Sequence, residues 1–326
     1  MALSKNVTIQ EIAQKANVSI ATTSRVIKQP GVVRAETRDK VLRAWKELHY
    51  QAKGNESRML LASFPDFSNP FYGECIRGMQ IGAERRGYRL FLQQMEGYSK
   101  PDDFHFLMNN QVFSGLIFTL MLPDQETLDS LRMKYPIVMC SQYDDRMDVP
   151  FVAIDDVAAA RSAMSYLFSI GKRRIALFNA GLEQSYAILR EQGYRDALRE
   201  AGLPVREEWI VRIPEIDFNV AFTTATALLA ASDPPDAVFC VSDVFASAVV
   251  KAANALGRAV PSQLAVMGFD NINLTTMTVP TLSSISQPAY QIGWLSCNLL
   301  IDQIEENHNN SDLIMLDTEV IGRAST

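Results

Sequence analysis

Two rhythms of apolar residues divide the chain. In residues 7–50 they recur every three or four positions: Ile9, Ile12, Ala13 and Ala16, and later Val41, Ala44, Trp45 and Leu48, the spacing of one helical face. From Met59 onward, short apolar runs alternate with longer amphipathic ones. MLLASF (59–64), RLFLQQ (89–94), GLIFTL (115–120), PIVMCS (136–141) and FVAI (151–154) read as strands. So do RIALFNA (174–180), AVFCVS (237–242), LAVMGF (264–269) and LSSIS (282–286). Between them lie helical stretches at 71–87, with Ile76, Met79, Gln80 and Ala83 on one face, and at 157–170, 187–202, 220–231 and 244–257. Such alternation makes βαβ units, hence parallel sheets covered on both faces. Two sets of four or five strands predict two similar lobes, although no internal sequence repeat is visible.

The first 50 residues carry stronger local signals. Thr8 followed three residues later by Glu11 is a capping box. Asn17 can adopt the left-handed geometry that ends a helix in a sharp turn. Val18 then packs inward, and Ser19 caps a second helix running from Ile20 through Val26. A helix, a tight turn and a second helix is the layout that sets the second helix into a DNA major groove. Such geometry is also used structurally, so charge matters. Residues 1–58 carry 11 Lys and Arg against 5 Asp and Glu, whereas the remaining chain carries 20 against 32. A basic head on an acidic body suits a head that meets phosphate.

The whole chain, 326 residues with 48% hydrophobic and 21% charged residues, has ample core for two or three folding units. The start, MALSKNV, has no apolar run, and no stretch reaches the length of a membrane span. These features predict a cytoplasmic protein that does not engage membrane. Cys75, Cys140, Cys240 and Cys297 lie far apart without CxxC spacing and read as reduced core thiols. His49, His105 and His308 are scattered, and there is no GxGxxG, GxxxxGK[ST] or GxSxG. A binder without cofactor or metal is expected, not an enzyme.

The run VTIQEIAQKANVS…TTSRVI…VRAETRDKV, with NESR (55–58), ECIRGM (74–79), SDVFA (242–246), GFDNI (268–272) and QPAYQIG (287–293), resembles the lactose/galactose-repressor family of transcription factors over nearly the whole chain. The resemblance implies an α/β fold: a three-helix helix-turn-helix head (1–50), a short linker (51–58) and a two-lobed, periplasmic-binding-protein-like body with doubly wound parallel sheets (59–326). Lobe 1 would hold about 59–156 and 289–311, and lobe 2 about 157–288 and 312–326. The function implied is a DNA-binding repressor controlled by a small-molecule effector bound between the lobes. Similarity to a nucleoside-responsive member implies a nucleoside, with a sugar or purine base as the runner-up. A sensor of the same fold acting through a protein partner is the alternative of a different class. One head reads only a half-site, so a homodimer on a two-fold operator in double-stranded DNA is expected.

The base-reading residues are predicted to be Ile20, Ala21 and Arg25, with Thr22 and Ser24 nearer phosphate. Thr8, Ser19, Lys28, Arg34 and Thr37 complete the candidate DNA contacts. The loops after the strands supply the candidate effector contacts: Phe71, Tyr72, Gln142, Asp155, Arg190, Phe218, Ser242, Asp243, Asp270 and Gln287. Aromatics with a few hydrogen-bonding groups suit a flat ring with a polar substituent. The resemblance aims Arg190 and Asp270 at ligand. Asp155, Asp156, Asp243 and Asp270 could equally be helix N-caps. Departures from the family pattern are Thr23 at an apolar packing position, Arg34 in place of a Ser cap, Lys172 in the run GKRRI, and the linker. QAKGNESR (51–58) lacks the Ala/Leu hinge helix that wedges the minor groove, and Gly54 opposes helix formation.

Overall fold

The computed structural model describes residues 8–28, 33–48, 58–95, 104–110, 112–120, 124–143, 148–306 and 312–326. The linker therefore lies outside the described residues except for Arg58, and so does the side chain of Lys28. The head contains α1 (Ile9–Ala16), α2 (Ile20–Lys28) and α3 (Ala35–Glu47) around a small core of Ile12, Ala16, Val26, Val41 and Ala44. Val18, Val33, Trp45 and Leu48 pack on it. The capping box forms: Thr8 Oγ1 accepts from the Glu11 N–H at 3.2 Å and a Glu11 carboxylate oxygen accepts from the Thr8 N–H at 2.7 Å. Asn17 ends α1 at φ 53°. Thr23 is fully buried, and its hydroxyl donates to the Ser19 carbonyl at 3.2 Å. That bond satisfies a hydroxyl placed among apolar side chains.

The body runs β1 (Met59–Phe64), α4 (Pro70–Arg85), β2 (Arg89–Gln94), α5 (His105–Asn109), β3 (Gly115–Phe118), α6 (Gln125–Arg132), β4 (Ile137–Cys140), β5 (Phe151–Ile154), α7 (Asp156–Ser169), β6 (Ile175–Ala180), α8 (Ser185–Glu200), β7 (Ile210–Ile213), α9 (Phe218–Leu229), β8 (Ala237–Cys240), α10 (Asp243–Ala255), β9 (Ala265–Asp270), α11 (Leu274–Met277), β10 (Ser283–Ser286), α12 (Ala289–Glu306), β11 (Leu313–Leu316) and β12 (Glu319–Ile321). The whole chain, head included, divides into two compact units. One holds Met1–Asp66, Ile76–Val152 and Gly293–Leu313; the other holds Phe67–Cys75, Ala153–Ile292 and Ile314–Thr326.

The first sheet has the order β11–β5–β4–β3–β1–β2 and the second β12–β10–β9–β8–β6–β7. From β2 to β5 and from β7 to β10 neighbouring strands are parallel. β12 closes the second sheet antiparallel to β10. Both sheets thus share one winding, reversing beside β1 and beside β6. Ligands in such sheets bind beyond the carboxyl ends of the strands at that reversal.

Three strands were not anticipated: β7, β11 and β12, all short and at a sheet edge with exposed or half-exposed positions, although β11 (LIML) and most of β7 (IVRI) are apolar. The 18-residue α12 also went unnoticed; its Leu300 and Ile304 press on β3 so closely that a Cβ at Gly115 would meet them at 2.8 and 3.0 Å. On α4 the expected stripe needs correction. Cys75, Met79 and Ala83 face inward, while Gln80 is exposed and donates to Glu84 at 3.0 Å. The four cysteines are buried thiols, not joined in disulfides. Among the described residues no helix is long and apolar enough to cross a membrane.

Candidate functional site

The head presents one face of α2 outward. Ser19 Oγ accepts from the Thr22 N–H at 3.0 Å and caps the helix, with Thr22 Oγ1 at 2.8 Å. Thr23 and Val26 point into the core, which leaves Ile20 (53% exposed), Ala21 and Arg25 on the open side. An exposed isoleucine at a helix start gains nothing from folding, and beside Arg25 it forms a surface of the kind that reads base edges. Thr22 and Ser24 are half-buried along its edges. Arg34 precedes α3 and is exposed; its carbonyl accepts from the Thr37 and Arg38 N–H groups at 3.0 Å each. The Thr8 hydroxyl is committed to the capping box.

In the second unit, the ends of β8 and β9 meet the starts of α7 and α8 around Arg190. This guanidinium is buried. Its Nε donates to Asp156 Oδ1 at 2.7 Å, its Nη1 donates to the Val241 carbonyl at 2.7 Å, and Asp270 Oδ1 lies 4.0 Å from Nη1. The cation sits 3.5 Å from the centroid of the Phe269 ring and 4.9 Å from that of Tyr186, a cation–π arrangement strengthened by desolvation. Gln287 Nε2 donates to Asp270 Oδ1 at 2.5 Å, and Gln287 Oε1 is buried without a partner. Asp270 and Asn271, at φ 102° and 54°, turn the chain sharply out of β9.

Burial pushes the Asp270 carboxyl up to about 7, with Arg190 holding it back. Burial also raises Asp156 against the pull of Arg190. Asp243 rises well above the usual carboxylate range, first through burial and then through the charge of Asp270.

The expected site residues therefore divide. Arg190, Asp270 and Gln287 come together. Asp243 lies beside them at the start of α10 and is anchored: it accepts from the Ile272 N–H at 2.9 Å and the Ser284 hydroxyl at 2.7 Å, and a Cβ at Gly268 would collide with it. Asp155 is exposed and caps α7 through the Ala158 N–H at 2.9 Å, and Ser242 caps α10 through the Val244 N–H at 3.2 Å. The neighbour Asp156 is the acid that faces Arg190. Phe218 is half-buried near Lys251 Nζ, 5.2 Å from its ring centroid. Phe71 and Tyr72 form an edge-to-face pair at 5.4 Å at the start of α4. Gln142 is buried in the first unit, after the left-handed Ser141. Asp156, Tyr186 and Phe269 were missed as members of the cluster. The spacing of Tyr186 four residues before Arg190 on one helix was the available signal.

Residues 8–53 match the model of bacterial regulatory proteins of the lacI family, and residues 164–326 match that of the periplasmic binding protein-like domain. The chain is 34% identical to the HTH-type transcriptional repressor CytR of Escherichia coli, with 98% of this chain and 96% of that protein covered. It is 32% identical to catabolite control protein A of Priestia megaterium, covering 98% and 99%. Among solved structures, the transcriptional regulator CelR in complex with cellobiose matches at a TM-score of 0.76 and 26% identity over 98% of this chain and 100% of that one. Capped helices that leave Ile20 and Arg25 outward, joined to two sheets of one winding, fit these likenesses along their full length. The chain belongs to the lacI family of bacterial regulatory proteins, DNA-binding transcriptional repressors with an effector-binding body.

Proposed function

We propose that the effector is a nucleoside and that its ribose hydroxyls engage the Arg190 cluster. The observation that carries this reading is a buried acceptor left open there. Gln287 Oε1 has no partner among the described residues, on the side chain that donates to Asp270 beside Arg190. A buried polar group without a partner costs about 1–3 kcal/mol, which a ligand hydroxyl recovers. Asp270, next to both, is the natural acceptor for a second hydroxyl. A ribose operon repressor of Halalkalibacterium halodurans is 31% identical over 98% of this chain, and ribose is the sugar of a nucleoside. Phe71, Tyr72 and Phe218, by the family resemblance, and Gln142, Asp155, Ser242 and Asp243, by their place in the loops after strands, stay in the proposal as effector contacts.

A free sugar is the second reading, favoured by the cellobiose in the related CelR structure. A thermal-shift screen of cytidine, uridine, adenosine, ribose and cellobiose separates the two, because a tight ligand raises the melting temperature by mass action. A shift with ribose or cellobiose that no nucleoside matches would sink the nucleoside reading. Recovery of the effector unchanged after long incubation is expected of a binder; its conversion would refute the non-enzymatic reading.

On DNA, the protein is proposed to act in the cytoplasm as a homodimer on a two-fold operator, with Ile20, Ala21 and Arg25 reading bases. Thr8, Ser19, Thr22, Ser24, Lys28, Arg34 and Thr37 would lie nearer the backbone. Large apolar side chains stand exposed on both units, among them Phe106 (60%) on the first and Met277 (73%) and Val279 (83%) on the second. Such residues suit burial between subunits. Sedimentation of the full chain as a monomer at micromolar concentration would refute the dimer.

A further inference from the structure

A cavity lies in the second unit at the opposite ends of its strands from Arg190. It occupies about 290 Å³ beside the start of β6, and six residues of strand span about 20 Å. Its floor is apolar, with Ile175, Leu198 and the buried Trp209, and its rim carries Arg173, Arg174 and Arg206. Arg206 lies 4.0 Å above the Trp209 ring centroid, and Arg174 lies 5.5 Å from it. Asp233 bridges these two guanidiniums, and Glu208 accepts from Arg206 Nε at 2.8 Å. Arg173 is fixed separately: its Nη1 donates to the Phe168 and Lys172 carbonyls at 2.8 and 2.7 Å. Among the described residues, Arg173 Nε and Nη2 and Arg206 Nη2 donate to no protein group.

The geometry points to a second ligand site, distinct from the effector cluster, for a small amphiphilic anion: one ring or a short aliphatic body bearing a carboxylate or phosphate. The apolar floor takes the body, and the guanidinium forks take the head, since planar arginine matches both oxyanions. The volume sits at the lower end of small-molecule pockets, so a single ring fills it. Asp233 lies between two of the arginines as the protein's own counter-anion. Its charge therefore opposes a ligand anion, and its removal strengthens binding.

Calorimetry on the full-length protein tests this with phenyl phosphate and benzoate, which distinguish the two head groups, and benzyl alcohol as the uncharged control. At least one anion binds saturably and benzyl alcohol does not. Arg173→Ala and Arg206→Ala each weaken the anion about tenfold. Asp233→Asn tightens it. Arg206 also covers Trp209, so Arg173→Ala decides the matter if Arg206→Ala unfolds. The proposal is overturned by the absence of saturable heat at about 5 mM anion, by equal binding of benzyl alcohol, or by anion binding that Arg173→Ala leaves unweakened.

Discussion

Replacing Asp270 with Asn should make the protein's stability less dependent on pH. In the folded chain this carboxyl ionises near 7 instead of 3.8, because burial disfavours its charge more than Arg190 favours it. A folded value above the unfolded one means that protonation favours the native state. That contribution is fully present below the unfolded value and is lost as pH rises through about 7. The full span corresponds to about 4 kcal/mol at 1.36 kcal/mol per unit, of which about 2–3 kcal/mol falls between pH 5 and 8. In Asp270→Asn the side chain is neutral throughout, and its carbonyl can still accept from Gln287 Nε2. Urea unfolding of both proteins from pH 5 to 8 should therefore show the stability difference moving toward the variant by about 2–3 kcal/mol. Asp156 and Asp243 also rise in the folded state; the part of the Asp243 rise that comes from the Asp270 charge is lost in the variant and moves the difference in the same direction. A difference that stays constant within about 0.5 kcal/mol would refute the reasoning, and so would a trend of opposite sign.

Four further outcomes are expected. Thr8→Ala removes one half of the capping box and should lower head stability by about 1 kcal/mol, read from helical signal in a thermal melt; an unchanged melt contradicts it. Gly193→Val puts a side chain where a Cβ would already lie 2.5 Å from the Val157 carbonyl and 2.8 Å from Ala160 Cβ. It should cost about 1–3 kcal/mol and, by parting α7 from α8, weaken the effector-induced thermal shift; a normal shift in the folded variant argues against that coupling. Arg25→Ala should cost about 1–3 kcal/mol of operator affinity and relax preference at one base pair per half-site, whereas a loss uniform over all sequences would make Arg25 a phosphate contact. The sequence of the linker, with Gly54 and no apolar wedge, leads us to expect little central bending of DNA and an effector response below about tenfold, or 1.4 kcal/mol. A gel-shift and bending assay with a strong bend or a larger response would show the opposite.

The head was legible in detail because its signals are local. A cap, a left-handed Asn and a second cap lie within twelve residues, and each acts on the backbone next to it. The core strands were legible for the same reason, as unbroken apolar runs. Edge strands were not singled out: β11 is itself a short apolar run, LIML, but it alternates exposed and half-buried residues and owes its conformation to a distant partner. The Arg190 cluster shows the same boundary. Arg190 and Asp270 were nominated by the family resemblance and Gln287 by its place after a strand, yet the choice between Asp155 and Asp156 depends on a single residue of helix register. The first acid caps α7 and the second points inward. Phe269, read only as strand core, becomes the floor of the cation because β9 brings it beneath α8, a long-range fact that no local pattern contains.

The division of the chain has a consequence for its synthesis. The first unit needs Gly293–Leu313, and the second needs Ile314–Thr326. In the second, Ser325 Oγ accepts from the Ser283 N–H at 2.8 Å and donates to the Val266 carbonyl at 2.7 Å. Nascent chains emerge at about 5–20 residues per second, so most of the first sheet waits many seconds on the ribosome without the helix that covers β3. Its apolar strands are exposed during that interval. Neither half can reach its final form until translation is nearly finished, and the two must mature almost together. Slow synthesis or a premature stop should therefore yield aggregation-prone fragments, not one finished lobe with a missing neighbour.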